Sequence, residues 1–314
     1  MDGLLVIDKP AGPTSHDVVA RVRRTLGEKR VGHTGTLDPA ASGVLPLVVG
    51  RATRLAQFLS GSEKEYRAVI RLGVSTDTYD GAGAVTMRHR GALPPREAVE
   101  QALDSFQGPI VQIPPAFSAK KIDGKRSHRL ARRATAANAI VERPAAVEVT
   151  AHRLTLVAFE ADRLEIDIEC SAGFYVRSLA HDLGERLGTG AHLESLRRTR
   201  SGDLTIETAV PLAHVDGDAA AARAALIPLR RMLVSLPAVR LTAEGADAAR
   251  HGRMLGRKAT QSDWPALTPA GSAAPPIRLL DPDDELLGLA RWTGETGAEL
   301  HPFVVLAIAP DVTC

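Results

Sequence analysis

Residues 32–45 read GHTGTLDPAASGVL, a stretch of three glycines and two threonines whose only carboxylate is Asp38. Three uses for such an acid can be weighed on local grounds. Asp before Pro commonly makes an Asx turn, which would leave Asp38 structural. Glycine-rich turns also present backbone N–H groups to phosphate, but the GxxxxGK[ST] loop needs a lysine that is missing here, and GxGxxG does not occur in this stretch. GHTGTL is also like the DKTGT signature of enzymes phosphorylated on aspartate, but Gly32 stands where that nucleophile should be and His33 replaces its lysine. Phosphate cradling and phosphoryl transfer therefore lose support, and the role of Asp38 depends on which other residues meet it.

The elements that would carry this loop can be read from periodicity. LLVIDKP is a short apolar run ended by proline, and DVVARVRRTLG places Val18, Val22 and Leu26 at helical spacing behind a capping pair, Thr14 and Asp17. GVLPLVVG reads as a buried strand and RATRLAQFL as a short helix. EYRAVIRLGV alternates Tyr66, Ala68, Ile70 and Leu72 against Arg67, Val69 and Arg71, the period of a half-buried strand. PPREAVEQALDSFQG predicts a helix with Gly108 past its end, and AVEVTAHRLTLVAF with LEIDIEC predicts a hairpin. GFYVRSLAHDLGERLG puts Val176, Leu179, Leu183 and Leu187 on one helical face, stopped by Gly188. Strands and helices mix without a regular βαβ repeat, so the expected fold class is α+β with a mixed, mostly antiparallel sheet rather than a Rossmann fold.

The 314 residues, 44% of them hydrophobic, are enough for two domains. Composition shifts at the alanine-rich DGDAAAARAAL, a helix signal at 216–226. Beyond it come short apolar runs set between Gly, Pro and acidic turns, the pattern of a small all-β module. The expected division is 1–232 and 233–314, with QSDWPALTPAGSAAPP a mobile loop in the second part. No apolar run is long enough to span a bilayer and the N-terminus is unlike a secretory leader, so a soluble cytoplasmic protein is expected. Two cysteines, Cys170 and Cys314, give neither a disulfide framework nor ligand spacing for a metal, and Cys170 reads as a small buried residue. The net charge is only +2, but RVRRTLGEKR, KKIDGKRSHRLARR and RRTR concentrate basic residues and together favour a polyanionic partner.

GHTGTLDPAASGVL, GRATRL, KEYRAVIRLG, TDTYDGAG, CSAGFYVRSLAHDLG and GAHLESLRRTRSG, in that order and at similar spacing, closely resemble the TruB family of tRNA pseudouridine synthases. The likeness runs from LLVIDKPAGPTSHDVV to about residue 210. It implies isomerisation of a T-loop uridine of tRNA, position 55 in the usual tRNA numbering, with no cofactor or metal and no obligate protein partner. It also implies a pseudouridine synthase domain followed by a PUA-like RNA-binding barrel. We expect a monomer.

By the same resemblance Asp38 is the nucleophile and Arg177 its ion-pair partner. Tyr66 stacks on a flipped-out uridine and is a candidate to remove a ribose proton, which a neutral phenol can do only with a neighbour that helps it ionise. His33 supports the flipped RNA, Tyr175 and Leu196 line the uracil, and Asp80 either joins the polar network of Tyr66 and Arg177 or simply makes a turn. A basic insertion at about 115–135, carrying Lys120, Lys121 and Arg126, covers the T-loop. This chain departs from the family pattern with Phe117 and His128 where tyrosines are common, and with Arg54 for a lysine. Two alternatives stay open: a tRNA-folding chaperone without catalysis, and a related synthase acting on another RNA.

Overall fold

The computed structural model describes residues 1–118, 120–136, 141–261, 264, 274–293 and 299–306, without the side chains of residues 121, 126, 128, 132, 135 and 136. The chain begins with β1 (Gly3–Lys9), α1 (Ser15–Leu26), β2 (Val31–His33), β3 (Ser42–Val49), α2 (Ala56–Ser60) and β4 (Lys64–Leu72). A hairpin β5 (Val74–Thr76) and β6 (Val85–Arg88) leads to α3 (Arg96–Asp104) and β7 (Gly108–Gln112). The basic insertion follows as β8 (Lys121–Ile122), β9 (Lys125–Arg126) and α4 (Ser127–Ala136). Then come β10 (Val147–Glu160), β11 (Arg163–Cys170), α5 (Val176–Arg186), β12 (Ala191–Ser201), β13 (Leu204–Thr205), β14 (Val210–Pro211), α6 (Leu212–Val215) and α7 (Ala219–Ala224). The C-terminal part contains β15 (Ala238–Arg240), α8 (Ala243–Arg250), β16 (Leu255–Gly256), β17 (Ile277–Leu280), β18 (Leu286–Thr293) and β19 (Glu299–Val305).

Local chemistry accounts for the first helix. Thr14 Oγ1 accepts from the Asp17 N–H at 3.1 Å while Asp17 Oδ2 accepts from the Thr14 N–H at 2.8 Å. This reciprocal cap satisfies two otherwise orphaned donors, and such a cap contributes about 1 kcal/mol. Gly27 ends the helix in the left-handed region at φ 64°. The apolar stripe Val18, Val19, Val22 and Leu26 is buried against Leu5, Leu45 and Leu47 of the sheet.

Ten strands form the main sheet, in the order β14-β1-β3-β12-β4-β11-β10-β7, with β2 added on β3 and β13 on β12. Only β1 with β14 and β3 with β12 run parallel; every other pair is antiparallel, as expected for an α+β fold. β4 lies centrally between β12 and β11, and its Ala68, Ile70 and Leu72 are buried while Arg67 is exposed, the alternation read from sequence. Helices α3 and α5 cover this face with Val99, Leu103, Leu179 and Leu183.

Five strands in the order β15-β17-β18-β19-β16 form a second, curled sheet. It packs on the first part through a shared cluster that includes Leu4, Val6 and Leu55 with Leu286, Leu289 and Val304. Arg51 holds Asp2 at 2.7 Å and donates to the Leu306 carbonyl at 2.9 Å, and Arg54, from the same GRATRL motif, donates to the Val305 carbonyl.

Some elements differ from the periodicity reading. RATRLAQFL divides into a 3-10 turn over Gly50–Leu55 and the one-turn α2. The alanine-rich helix stops at Ala224, because Ile227 exchanges backbone bonds of 2.9 and 2.8 Å with Leu4 and draws the chain onto β1. Gly108 does not only end a helix; it opens β7 at φ 84°. The expected mobile loop lies outside the described residues except for 261, 264 and 274–276.

Candidate active site

Asp38 sits on the excursion between β2 and β3. Its two sides are anchored by buried apolar residues, Leu37 and Ala41, both in the cluster beneath α1. Ser15 clasps Leu37, donating to its carbonyl at 3.0 Å and accepting from its N–H at 2.9 Å. Lys9, fully buried, donates to the carbonyls of Pro10 (2.9 Å), Pro39 (3.2 Å) and Ala41 (2.6 Å). Burial lowers its ammonium to about 8, against which the nearby Asp38 charge pulls upward. The loop is glycine-rich in sequence but tightly fastened in space.

Arg177, in the first turn of α5, brings its Nε to 2.9 Å from Asp38 Oδ2. Its other nitrogens are also engaged: Nη1 donates to the Thr78 carbonyl at 3.2 Å and lies 3.6 Å from Asp80 Oδ2, and Nη2 donates to the Phe117 carbonyl at 2.9 Å. One buried guanidinium thus joins the acid loop, the TDTYDG turn and the root of the basic insertion. Asp80 serves that turn as well, accepting from Thr78 Oγ1 at 2.6 Å and from the Ala82 N–H at 3.0 Å.

Asp38 and Arg177 open onto a cavity of about 270 Å³ that Tyr66, Tyr175 and Leu196 also line. Burial pushes the Tyr175 hydroxyl above its ordinary value, while a hydrogen bond with Ser118 pulls the other way. A second cavity, of about 450 Å³, adjoins through Asp38 and Leu196 and is lined by Asp80, Arg71 and His192. Five of the residues singled out from sequence therefore share one cavity, and Asp80 reaches it through Arg177. His33 ends β2, with its ring edge-on to His16 at 5.3 Å. Lys120 is exposed just before the β8–β9 hairpin, while the side chains of Lys121, Arg126 and His128 lie outside the described residues.

The RRTR run is not the free basic patch its composition suggests. Arg197 forks onto Asp8 at 3.1 and 2.8 Å, and Arg200 pairs with Glu65 and Glu169 at 2.9 Å each. Arg198 is 1% exposed and lies on the cavity wall, bonded to the carbonyls of Val44 (2.7 Å) and Gly35 (3.1 Å). The cause is topological: β12 runs in the sheet interior between β3 and β4, within reach of acids on β1, β4 and β11 and of the β3 backbone. Lys64 lines the same cavity, 5% exposed, and donates to the carbonyls of Ser60 and Ser62. Charge alone signals surface, so sequence does not mark Arg198 and Lys64; Lys64, two residues before Tyr66 on β4, offers a local hint, whereas Arg198 meets Tyr66 only through the β4–β12 register.

Cys170 is buried, as expected, and burial raises its thiol to about 12, so it is no nucleophile near neutral pH. Cys314 lies outside the described residues. Among the described residues no group of His, Cys, Asp and Glu is arranged to hold a metal ion, and no helix is long and apolar enough to cross a membrane.

Comparison with known proteins connects this geometry to a family. The N-terminal domain of TruB family pseudouridylate synthases matches residues 23–176, and the C-terminal domain of tRNA pseudouridylate synthase B matches residues 177–237. The chain is 48% identical over 255 residues to tRNA pseudouridine synthase B of Solibacter usitatus, covering 81% of this chain and 85% of that one. It is 42% identical over 315 residues to the protein of the same name from Thermobifida fusca, covering 98% and 99%. Among solved structures, an H/ACA RNP bound to a substrate RNA containing 2′-deoxyuridine matches with a TM-score of 0.73 at 26% identity, over 98% of this chain and 86% of that one. On these matches the chain belongs to the TruB family of pseudouridylate synthases.

Proposed function

We propose that the protein converts uridine to pseudouridine at position 55 in the T-loop of tRNA, with Asp38 as nucleophile. The observation that carries this is the Asp38–Arg177 ion pair at a cavity walled by two tyrosines and a leucine, in a chain similar to synthases of that name. A stacked uridine is out of reach of such a cavity, so the nucleotide flips in, at a cost of a few kcal/mol. Tyr66 stacks on the base, Tyr175 and Leu196 bracket it, and His33 packs into the RNA where the base stood. Asp38 adds to ribose C1′ or uracil C6; the N1–C1′ bond breaks, the base turns, and C5 bonds to C1′ with release of the carboxylate. Arg177 holds the acid in a fixed orientation while the bound base excludes water, and Asp80 supports Arg177. No cofactor enters this sequence of steps.

Lys120, Lys121 and Arg126 of the insertion contact phosphates. Residues 1–232 act as the catalytic unit and 233–314 as a PUA-like RNA-binding unit. Its curled sheet supports that reading, as does the Trp264–Trp292 pair at 5.2 Å with the Arg257 guanidinium over the Trp264 ring. The protein works as a monomer in the cytoplasm, without an obligate protein partner. The deciding experiment is Asp38→Asn, assayed for binding and for pseudouridine on a T stem-loop RNA. Retained binding with no pseudouridine is expected; normal product from this variant overturns the assignment. An inactive wild type that refolds tRNA would point to a chaperone, and product only on other RNAs to a related synthase.

A further inference from the structure

Gln112 is the last residue of β7 and is 1% exposed. A buried primary amide is costly unless its oxygen and its nitrogen are both partnered. Here one orientation of the amide serves both: Oε1 accepts from the Tyr175 N–H at 2.9 Å, and Nε2 donates to the Tyr175 carbonyl at 3.3 Å. The side chain exchanges two bonds with the backbone of one residue, as a neighbouring strand would.

Tyr175 depends on that partner. It is the N-cap of α5, with extended backbone at φ −108° and ψ 105°, and its own side chain makes no capping bond. Its carbonyl also accepts from the Leu179 N–H within the helix at 3.1 Å, whereas among the described residues its N–H is held by Gln112.

The segment after Gln112 continues along the same helical turn. The Ile113 carbonyl accepts from Ser178 Oγ at 2.8 Å, the Phe117 carbonyl accepts from Arg177 at 2.9 Å, and Ser118 hydrogen-bonds the Tyr175 hydroxyl. Pro114 and Pro115 stiffen the chain between these contacts. Tyr175 is therefore held at both ends by one segment, its backbone by Gln112 and its hydroxyl by Ser118. Only the two side-chain torsions of a tyrosine lie between those points, so the plane of the ring is set.

We propose that Gln112 is a positioning residue for the isomerisation: by gripping the Tyr175 backbone it sets the plane of the ring that walls the uracil. This rests on the synthase reading above, in which Tyr175 brackets the base, and adds to it a residue outside the cavity wall. Tyr175 lines the same cavity as Asp38, Tyr66 and Leu196, so the tilt of its ring decides how a base seated there meets the carboxylate. Misplacement of a reacting group by about 1 Å can cost on the order of 100-fold in rate.

The test is single-turnover pseudouridine formation on a T stem-loop RNA, beside a binding titration. Gln112→Met keeps the length of the side chain and removes both bonds. Its rate should fall about tenfold, as a small misplacement requires, with RNA affinity changed less than about twofold. In a Tyr175→Leu background the same substitution should change the rate less than about twofold, because the ring it places is gone. Tyr175→3-fluorotyrosine reads the ring directly, and its fluorine resonance should shift or broaden when Gln112→Met is added. An undiminished rate in Gln112→Met, a tenfold loss that persists in Tyr175→Leu, or an unmoved fluorine resonance overturns the proposal. If Tyr175→Leu has no measurable rate, the fluorine resonance decides. If Gln112→Met does not fold, Gln112→Asn, whose amide stops one methylene short of Tyr175, must show the same rate loss and the same change in resonance, and the absence of either is fatal to it. A wild type inactive on the RNA overturns the parent reading too, whereas an active wild type with any of these contrary results overturns only the role of Gln112.

Discussion

Arg177 and Asp38 form an asymmetric ion pair, with Nε 2.9 Å from Oδ2 and side chains 7% and 41% exposed. The cation is fixed by carbonyls and the anion faces the cavity, so the acid can engage a substrate from its open side without losing its partner. Because the same guanidinium holds the Phe117 carbonyl, the root of the basic insertion and the acid loop share one anchor.

Arg177→Lys keeps the charge but cannot serve Asp38, Thr78 and Phe117 together from a rigid fork. A rate loss on the order of 100-fold, with T stem-loop affinity nearly unchanged, is expected from losing such a preorganised electrostatic contact. Single-turnover kinetics beside a binding titration would check this, and an equal loss in affinity would contradict it.

Gly43 is the register partner of Arg198 where β3 and β12 run parallel, at φ 101°. A Cβ there would fall 2.2 Å from the Arg198 carbonyl oxygen, so the strands must separate to admit it. Gly43→Ala should lower stability by about 2 kcal/mol or more, from strain of this kind, and should also depress activity. Thermal unfolding close to that of the wild type would show that the sheet yields more easily than this contact implies.

Burial lowers the Lys64 ammonium in the folded state from 10.5 to about 8, with the Arg198 charge adding to the effect. The sign follows from proton counting: between those values the unfolded chain holds a proton that the folded chain has released, so stability from this group rises with pH. It is fully present above 10.5 and lost as pH falls through about 8. Lys64→Met lacks that dependence. The unfolding midpoint of the wild type, relative to the variant, should therefore climb between pH 8 and 10, and a constant difference would contradict it.

Lys120 is exposed at the base of the insertion, whereas Arg197 is committed to Asp8. If Lys120 meets a phosphate, Lys120→Gln should reduce the slope of log affinity against log salt by about 1, the share of a single contact. Arg197→Gln should leave that slope unchanged. Binding isotherms at several salt concentrations would separate the two, and a drop in slope for Arg197→Gln would restore RRTR to the RNA-binding surface.

The sequence by itself determined what depends on neighbours a few residues apart. The Thr14–Asp17 cap, the stripe of α1, the alternation of β4 and the β10–β11 hairpin are set by local spacing, and each was legible because its period survives folding unchanged. Motif order also identified the family and singled out Asp38, although residue chemistry alone left its role open. What tertiary structure decided is where charge goes. Lys9 ends among carbonyls about thirty residues away, and Arg198 of RRTR is buried because β12 is an interior strand. Burial of a cation is a property of the sheet around it, paid for by polar partners distant in the chain. The pairing of Arg198 with Tyr66 is of this kind, a matter of strand order and register that neither KEYRAVIRLG nor RRTR specifies alone.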